Sequence, residues 1–148
     1  MSDLRIDINL PGAAAEDESH WQHWLEGAVR STLEHEGVQQ AAVSVTLVDD
    51  AEIARLNAHY LQHEGPTDVL SFPLFEKDEA PVGDIYIGFD QARRQSEELQ
   101  IPLDTELARL AIHGTLHVLG YTHPDLDARE RSDLWQRQEA ILQKVLRR

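Results

Sequence analysis

The chain has 148 residues, 41% hydrophobic and 27% charged, which fits one globular domain over 1–148 with a core of its own. It contains no cysteine, which excludes disulfides and thiolate metal ligands. A formal net charge of −14, from 27 acidic against 13 basic residues, excludes a broad basic face, so any nucleic-acid contact must be local or assisted by a partner.

Leu4, Ile6, Ile8 and Leu10 alternate with polar residues, which predicts a half-buried strand ended by Pro11-Gly12. The region from Met1 to Ile6 has no apolar signal core, and no run reaches the ~18 apolar residues of a membrane span. A soluble, cytoplasmic protein without membrane contact is the expectation. The acidic stretch around Glu16 and Asp17 suits a helix start. Trp21, Trp24, Leu25, Ala28, Val29 and Leu33 then predict a helix over about 19–36, closed by Gly37. His20 and His23 lie on it as exposed residues.

Ala42 to Val48 is rich in β-branched residues and reads as a second strand. Asp49 or Asp50 caps a helix carrying Ile53, Leu56, Tyr60 and Leu61. His59 and His63 are four apart, but Gly65-Pro66 follows at once and no third donor is near in sequence. The segment Pro66-Thr-Asp-Val-Leu-Ser-Phe-Pro73 predicts a turn and a short strand over Val69–Phe72. Its small polar residues Thr67, Asp68 and Ser71 can act as turn caps or line a cleft.

An acidic loop leads to the last strand, Gly83–Phe89, with Ile85 and Ile87 on one face. Asp90 is expected to cap a helix to about Leu99 that exposes Arg93 and Arg94, and Asp104 to cap the next. The last helix, about 126–146, offers Leu134, Trp135, Ile141, Leu142 and Val145 to the core. The order βαβαββααα predicts an α/β (α+β) fold, a single mixed four-stranded sheet packed with about five helices. The first two helices can join parallel strands, and the short last link suits an antiparallel pair.

The stretch from Ala111 to His123 carries His113, His117 four residues later and His123 six after that. Four residues is one turn of helix, so His113 and His117 share a face. Gly120 can end the helix and let the chain return His123 to the same point. Three imidazoles with a fourth position left for water make a catalytic type of zinc site. A surface role as helix-dipole partners is the plainer alternative. The spacing is that of the metzincin proteases, but the residue after the first histidine, their general base, is Gly114 here. Glycine moves no proton, which argues against peptide cleavage.

Taken together, Leu56-Asn57 with Tyr60, Pro66–Pro73, Gly83-Asp-Ile-Tyr-Ile87, His113–His123 and Glu139 with Ile141-Leu142 resemble the bacterial YbeY family of rRNA maturation factors. The resemblance runs from about residue 40 onward. It implies a metal-dependent, single-strand-specific endoribonuclease with one zinc ion per chain on His113, His117 and His123. It further implies maturation of the small-subunit rRNA 3′ end, ribosome quality control, and partners among small-subunit ribosomal proteins and an assembly GTPase. Two positions depart from the family pattern: Leu61 stands where an arginine is usual, and Thr122 where an aspartate is common. Leucine cannot bind phosphate, so that contact is lost or shifted to Arg55, Arg93, Arg94 or Arg109.

Water activated by zinc and attack by a ribose 2′-hydroxyl are both compatible with such a site. His113 is the ligand expected to matter for catalysis, and Asp68 is the carboxylate candidate for general base. Two rival readings are a metal-dependent hydrolase of a peptide or small ester, and a non-catalytic ribosome-assembly factor with a structural metal.

Overall fold

A computed structural model describes residues 2–10, 18–61, 67–121 and 128–147. Period-two patterning builds four strands: β1 (Asp3–Asn9), β2 (Gln40–Val48), β3 (Val69–Pro73) and β4 (Val82–Gly88). The helices are α1 (Glu18–His35), α2 (Asp50–Leu61), α3 (Phe89–Leu99), α4 (Leu103–Leu116) and α5 (Ala128–Leu146). The mixed four-stranded sheet with five helices is thus the architecture expected from the sequence.

The sheet order is β1-β2-β4-β3, with β1–β2 and β2–β4 parallel and β3–β4 antiparallel. The strands joined by α1 are parallel, as expected. Those joined by α2 are not: β3 runs antiparallel at the edge and β4 takes the place beside β2. The short loop between β3 and β4 permits only a hairpin, and this fixes the direction of β3 once β4 has paired with β2.

Alternation then decides the two faces. Ile8, Val43, Val45, Leu47, Ile85 and Ile87 are buried in the main core with residues of α1, α3, α4 and α5. The opposite face carries Asp7, Ser44 and Asp84, and the Ser44 hydroxyl donates to Asp84 at 2.7 Å. Near β3 that face is closed by α2, through a smaller cluster of Val48, Ile53, Leu56 and Leu70.

Helix α4 is the inner helix. Leu107, Ala108, Ala111, Ile112 and Leu116 are fully buried, and each large aliphatic among them contributes about 1.5–3 kcal/mol by leaving water. Gly114 is where α4 meets the sheet most closely: a Cβ there would stand 2.7 Å from Ile85 Cγ2 and 3.2 Å from Ser71 Oγ. Past Leu116 the chain widens into a π-type turn, His117–Tyr121, and Gly120 takes φ 101°, a left-handed conformation that suits glycine. The expected helix end at Gly120 lies in this turn.

Two expected caps act elsewhere. Asp49 caps α2 as anticipated, accepting from the Glu52 N–H at 2.8 Å. Asp90, however, does not cap its own helix, which follows Gly88 without a side-chain cap; its carboxylate accepts from the Asp50 N–H at 3.2 Å. Likewise α4 starts after Pro102, and Asp104 in its first turn meets His20 Nε2 at 2.9 Å. Pro102 occupies the cap position and Asp104 lies inside the first turn, where its carboxylate is free for a partner in α1.

The turn beyond His117 is tied down by Glu36. The Tyr121 hydroxyl donates to one Glu36 oxygen, Arg137 Nη1 donates to the other at 2.8 Å, and the guanidinium lies 5.1 Å over the Tyr121 ring. Burial opposes ionisation of Glu36, but hydrogen bonds from Tyr121, His35 and Arg137 outweigh it and hold the carboxyl below its ordinary value. A depressed carboxylate stabilises the fold above its unfolded pKa and loses that contribution as pH falls through the folded one. Stability to urea should therefore drop below about pH 4.5 by a step that Glu36→Gln lacks. Parallel pH profiles for the two proteins would refute this anchor.

Candidate metal centre and its cavity

Helical geometry continues from α4 through His117, whose φ and ψ are −61° and −45°. His113 and His117 therefore share one face, with ring centroids 4.0 Å apart. His117 Nε2 is buried and has no hydrogen-bond partner. Burial, reinforced by the neighbouring His113, pushes the His117 pKa down to about 3, so the ring is neutral at physiological pH.

The tautomer of His113 follows from its neighbour. Gln138 Nε2 donates to the Glu139 carboxylate at 3.2 Å, which turns Gln138 Oε1 towards His113 Nδ1 at 2.6 Å. A carboxylate only accepts and an amide oxygen only accepts, so His113 Nδ1 carries the proton. In the neutral ring Nε2 then holds the lone pair. A ring nitrogen free to coordinate, with the other fixed by an oxygen acceptor, is the arrangement of a metal-ligating histidine. Two imidazoles on one helix face, that of His117 neutral with an orphaned buried nitrogen, fit a zinc ion.

His123 lies outside the described residues, as do Thr122 and His63. Among the described residues no group of three or more potential ligands stands ready to hold a metal. His59 lies on α2 with its ring against Tyr60, and His20 is engaged with Asp104.

Beside His113 opens a cavity of about 250 Å³. One stripe of α4, Glu106, Arg109, Leu110 and His113, forms its inner wall. Gln95 and Leu99, one turn apart on α3, form a second side, and Trp135 and Gln138 on α5 a third. Asp68 lies on this wall too, just before β3. Among the described residues its side chain meets Gln95 Nε2 at 3.4 Å and caps no turn. Ser71 instead points its buried, unpartnered hydroxyl towards Gly114.

A charged frame holds these walls together. Arg109 donates two bonds to Glu139, at 2.9 and 3.0 Å, and one to Glu106 at 2.8 Å. Glu106 also accepts from Gln95 Nε2 at 2.9 Å. The Glu139 bond raises the Arg109 pKa first, against desolvation, with Glu106 adding to it. Burial raises the Glu139 pKa, but Arg109 and Gln138 outweigh it and hold the group ionised.

Of the four arginines expected to replace the missing one at position 61, Arg55 is engaged by Glu52 and Arg94 by Asp50. Arg93 stands 4.0 Å from Asp90. Arg109 alone of the four lines the cavity, already committed to two carboxylates. Gln138 and Trp135 were not singled out for this site from sequence. Gln138 shares a stripe of α5 with Leu142 and Val145, and a buried polar residue in an apolar stripe was the available signal. Trp135, expected in the core, is 56% exposed and lines the cavity, while its neighbour Leu134 packs against the core.

A family model described as Endoribonuclease YbeY matches residues 9–146. The Endoribonuclease YbeY of Persephonella marina is 35% identical over 133 residues, covering 87% of this chain and 86% of that protein. That of Bacillus subtilis is 38% identical over 130 residues, covering 80% and 82%. The solution structure of TM1509 from Thermotoga maritima superposes with a TM-score of 0.64 at 28% identity, over 97% of this chain and 89% of its own. Matched from residue 9 to residue 146 and built on the frame of a solved relative, the chain belongs to the YbeY family.

Proposed function

We propose that this chain is a zinc-dependent endoribonuclease that cuts single-stranded RNA, acting in the cytoplasm on the 3′ end of small-subunit rRNA and in ribosome quality control. Small-subunit ribosomal proteins and an assembly GTPase are its proposed partners; they would supply the phosphate contacts that an acidic chain lacks. The observation that carries the reading is the His113–His117 pair, one ring oriented by Gln138 and the other desolvated with an orphaned Nε2. The relatives named Endoribonuclease YbeY supply the substrate class.

His113, His117 and His123 would hold one zinc ion. When bound, zinc supplies Lewis acidity, lowering the pKa of a water and polarising a phosphoryl oxygen. Gln138 keeps the His113 proton on Nδ1, and the depressed pKa of His117 keeps that ring available without competition from protons. Asp68, on the wall of the same cavity, would take the proton of the nucleophile, water or a ribose 2′-hydroxyl, as it attacks phosphorus and the P–O bond to the leaving strand breaks. Gly114 faces Ile85 and Ser71, so the position that serves metzincins as base is closed here to any side chain.

Elemental mass spectrometry should find about one zinc per chain in wild type and none in His117→Ala, with loss of single-strand RNA cleavage in the variant. Cleavage that survives metal loss overturns the assignment. Leu61, in place of the family's usual arginine, supports a second reading as a non-catalytic assembly factor. Rescue of ribosome maturation by His117→Ala would put that reading first. Asp68→Asn should lower kcat about 100-fold or more with zinc content unchanged, the range of general-base removal; an unaltered kcat removes Asp68 from the proton path. Gln138→Leu should weaken zinc binding about 10–100-fold in a chelator competition, and wild-type affinity would show that the His113 tautomer needs no such partner.

A further inference from the structure

The cavity beside His113 has an apolar mouth that catalysis as described does not use. Trp135 and Leu99, from α5 and α3, both line it, yet are 56% and 59% exposed. Leu110 gives the cavity an apolar patch on its inner wall. Arg109 Cζ lies 6.0 Å over the indole of Trp135 and supports it as a cation–π partner.

Charge decides what kind of group this space accepts. Among the described lining residues Asp68 and Glu106 are acidic, and the cation, Arg109, is satisfied by Glu106 and Glu139. At the Trp135 end, away from His113, a phosphate would meet carboxylates without a free cation to balance them. A nucleobase suits the same surroundings: its face is apolar, and its amino and ring N–H groups donate to carboxylate and amide oxygens. At about 250 Å³ the cavity is smaller than the roughly 300–1,000 Å³ that houses drug-sized ligands, a size for one base rather than a stack.

We propose that this cavity is a nucleobase subsite in which Trp135 stacks one unpaired base of the RNA substrate, with Leu99 closing the opposite side. The proposal rests on the RNA-cleaving reading above and deepens it, because it supplies the reason for single-strand specificity. A base inside a duplex is stacked on both faces and cannot enter; a base from a single strand or loop can. Trp135 is thereby a specificity-determining residue, one turn of helix before the residue that orients His113.

The test uses metal-free protein, so that binding is read without cleavage. The probes are a 12-nucleotide single-stranded oligoadenylate and the same strand paired with oligouridylate. The single strand should quench tryptophan emission in wild type. Trp135→Ala should bind it about tenfold more weakly, within the usual range for loss of one stacking contact, while duplex affinity is unchanged. Trp135→Phe should recover most of the single-strand affinity. Equal single-strand affinity in Trp135→Ala and wild type overturns the subsite while leaving cleavage, assayed separately with zinc, intact. Wild type that neither binds nor cleaves the RNA defeats the RNA reading as well.

Discussion

The close approach of α4 to the sheet is the constraint from which the rest of the site follows. Gly114 lets the helix backbone settle against Ile85 and Ser71, where a β-carbon would be forced to within 2.7 Å of Ile85 Cγ2. Overpacking a core position by a single methyl typically costs about 1–3 kcal/mol, so the glycine matters to the fold as well as to the chemistry. With that face of α4 turned to the strands, the stripe through Glu106, Arg109, Leu110 and His113 must face α3 and α5. The same glycine that removes a peptidase base therefore aims the first histidine into a cavity.

What keeps the cavity walls in register is polar rather than apolar. Glu106 is 2% exposed, and its charge is tolerable only because Arg109 and Gln95 saturate it. Arg109 passes the connection to Glu139, Glu139 to Gln138, and Gln138 to His113. The links are directional hydrogen bonds, and those from Gln95 to Glu106, Arg109 to Glu139 and Gln138 to His113 cross between helices, so the orientation of one imidazole is set by α3, α4 and α5 together. Breaking a buried ion pair from one side leaves an uncompensated charge, typically about 3–5 kcal/mol, which couples site geometry to global stability.

The acidity of the chain acquires a local meaning in this arrangement. Arg55, Arg94 and Arg109 are all committed to neighbouring carboxylates, so they stiffen helices rather than reach for phosphate. Recognition by a shape-selective apolar mouth suits such a surface better than attraction along a backbone. It also suits a protein working beside partners that neutralise the phosphates themselves.

The sequence alone determined the elements and the paired histidines, because both are periodic. Alternation in β1, β2 and β4 and the four-residue step from His113 to His117 are local geometry, and the structure repeats them. It also carried the family, since the central segment and the histidine stretch are contiguous in the chain. Only the tertiary structure decided what non-local packing controls. Asp90 and Asp104 found partners on other helices instead of capping their own. The direction of β3 depended on β4 pairing with β2. Trp135 lies at the cavity mouth rather than in the core, because adjacent apolar residues point to different sides of a helix and only packing decides that Leu134 faces inward.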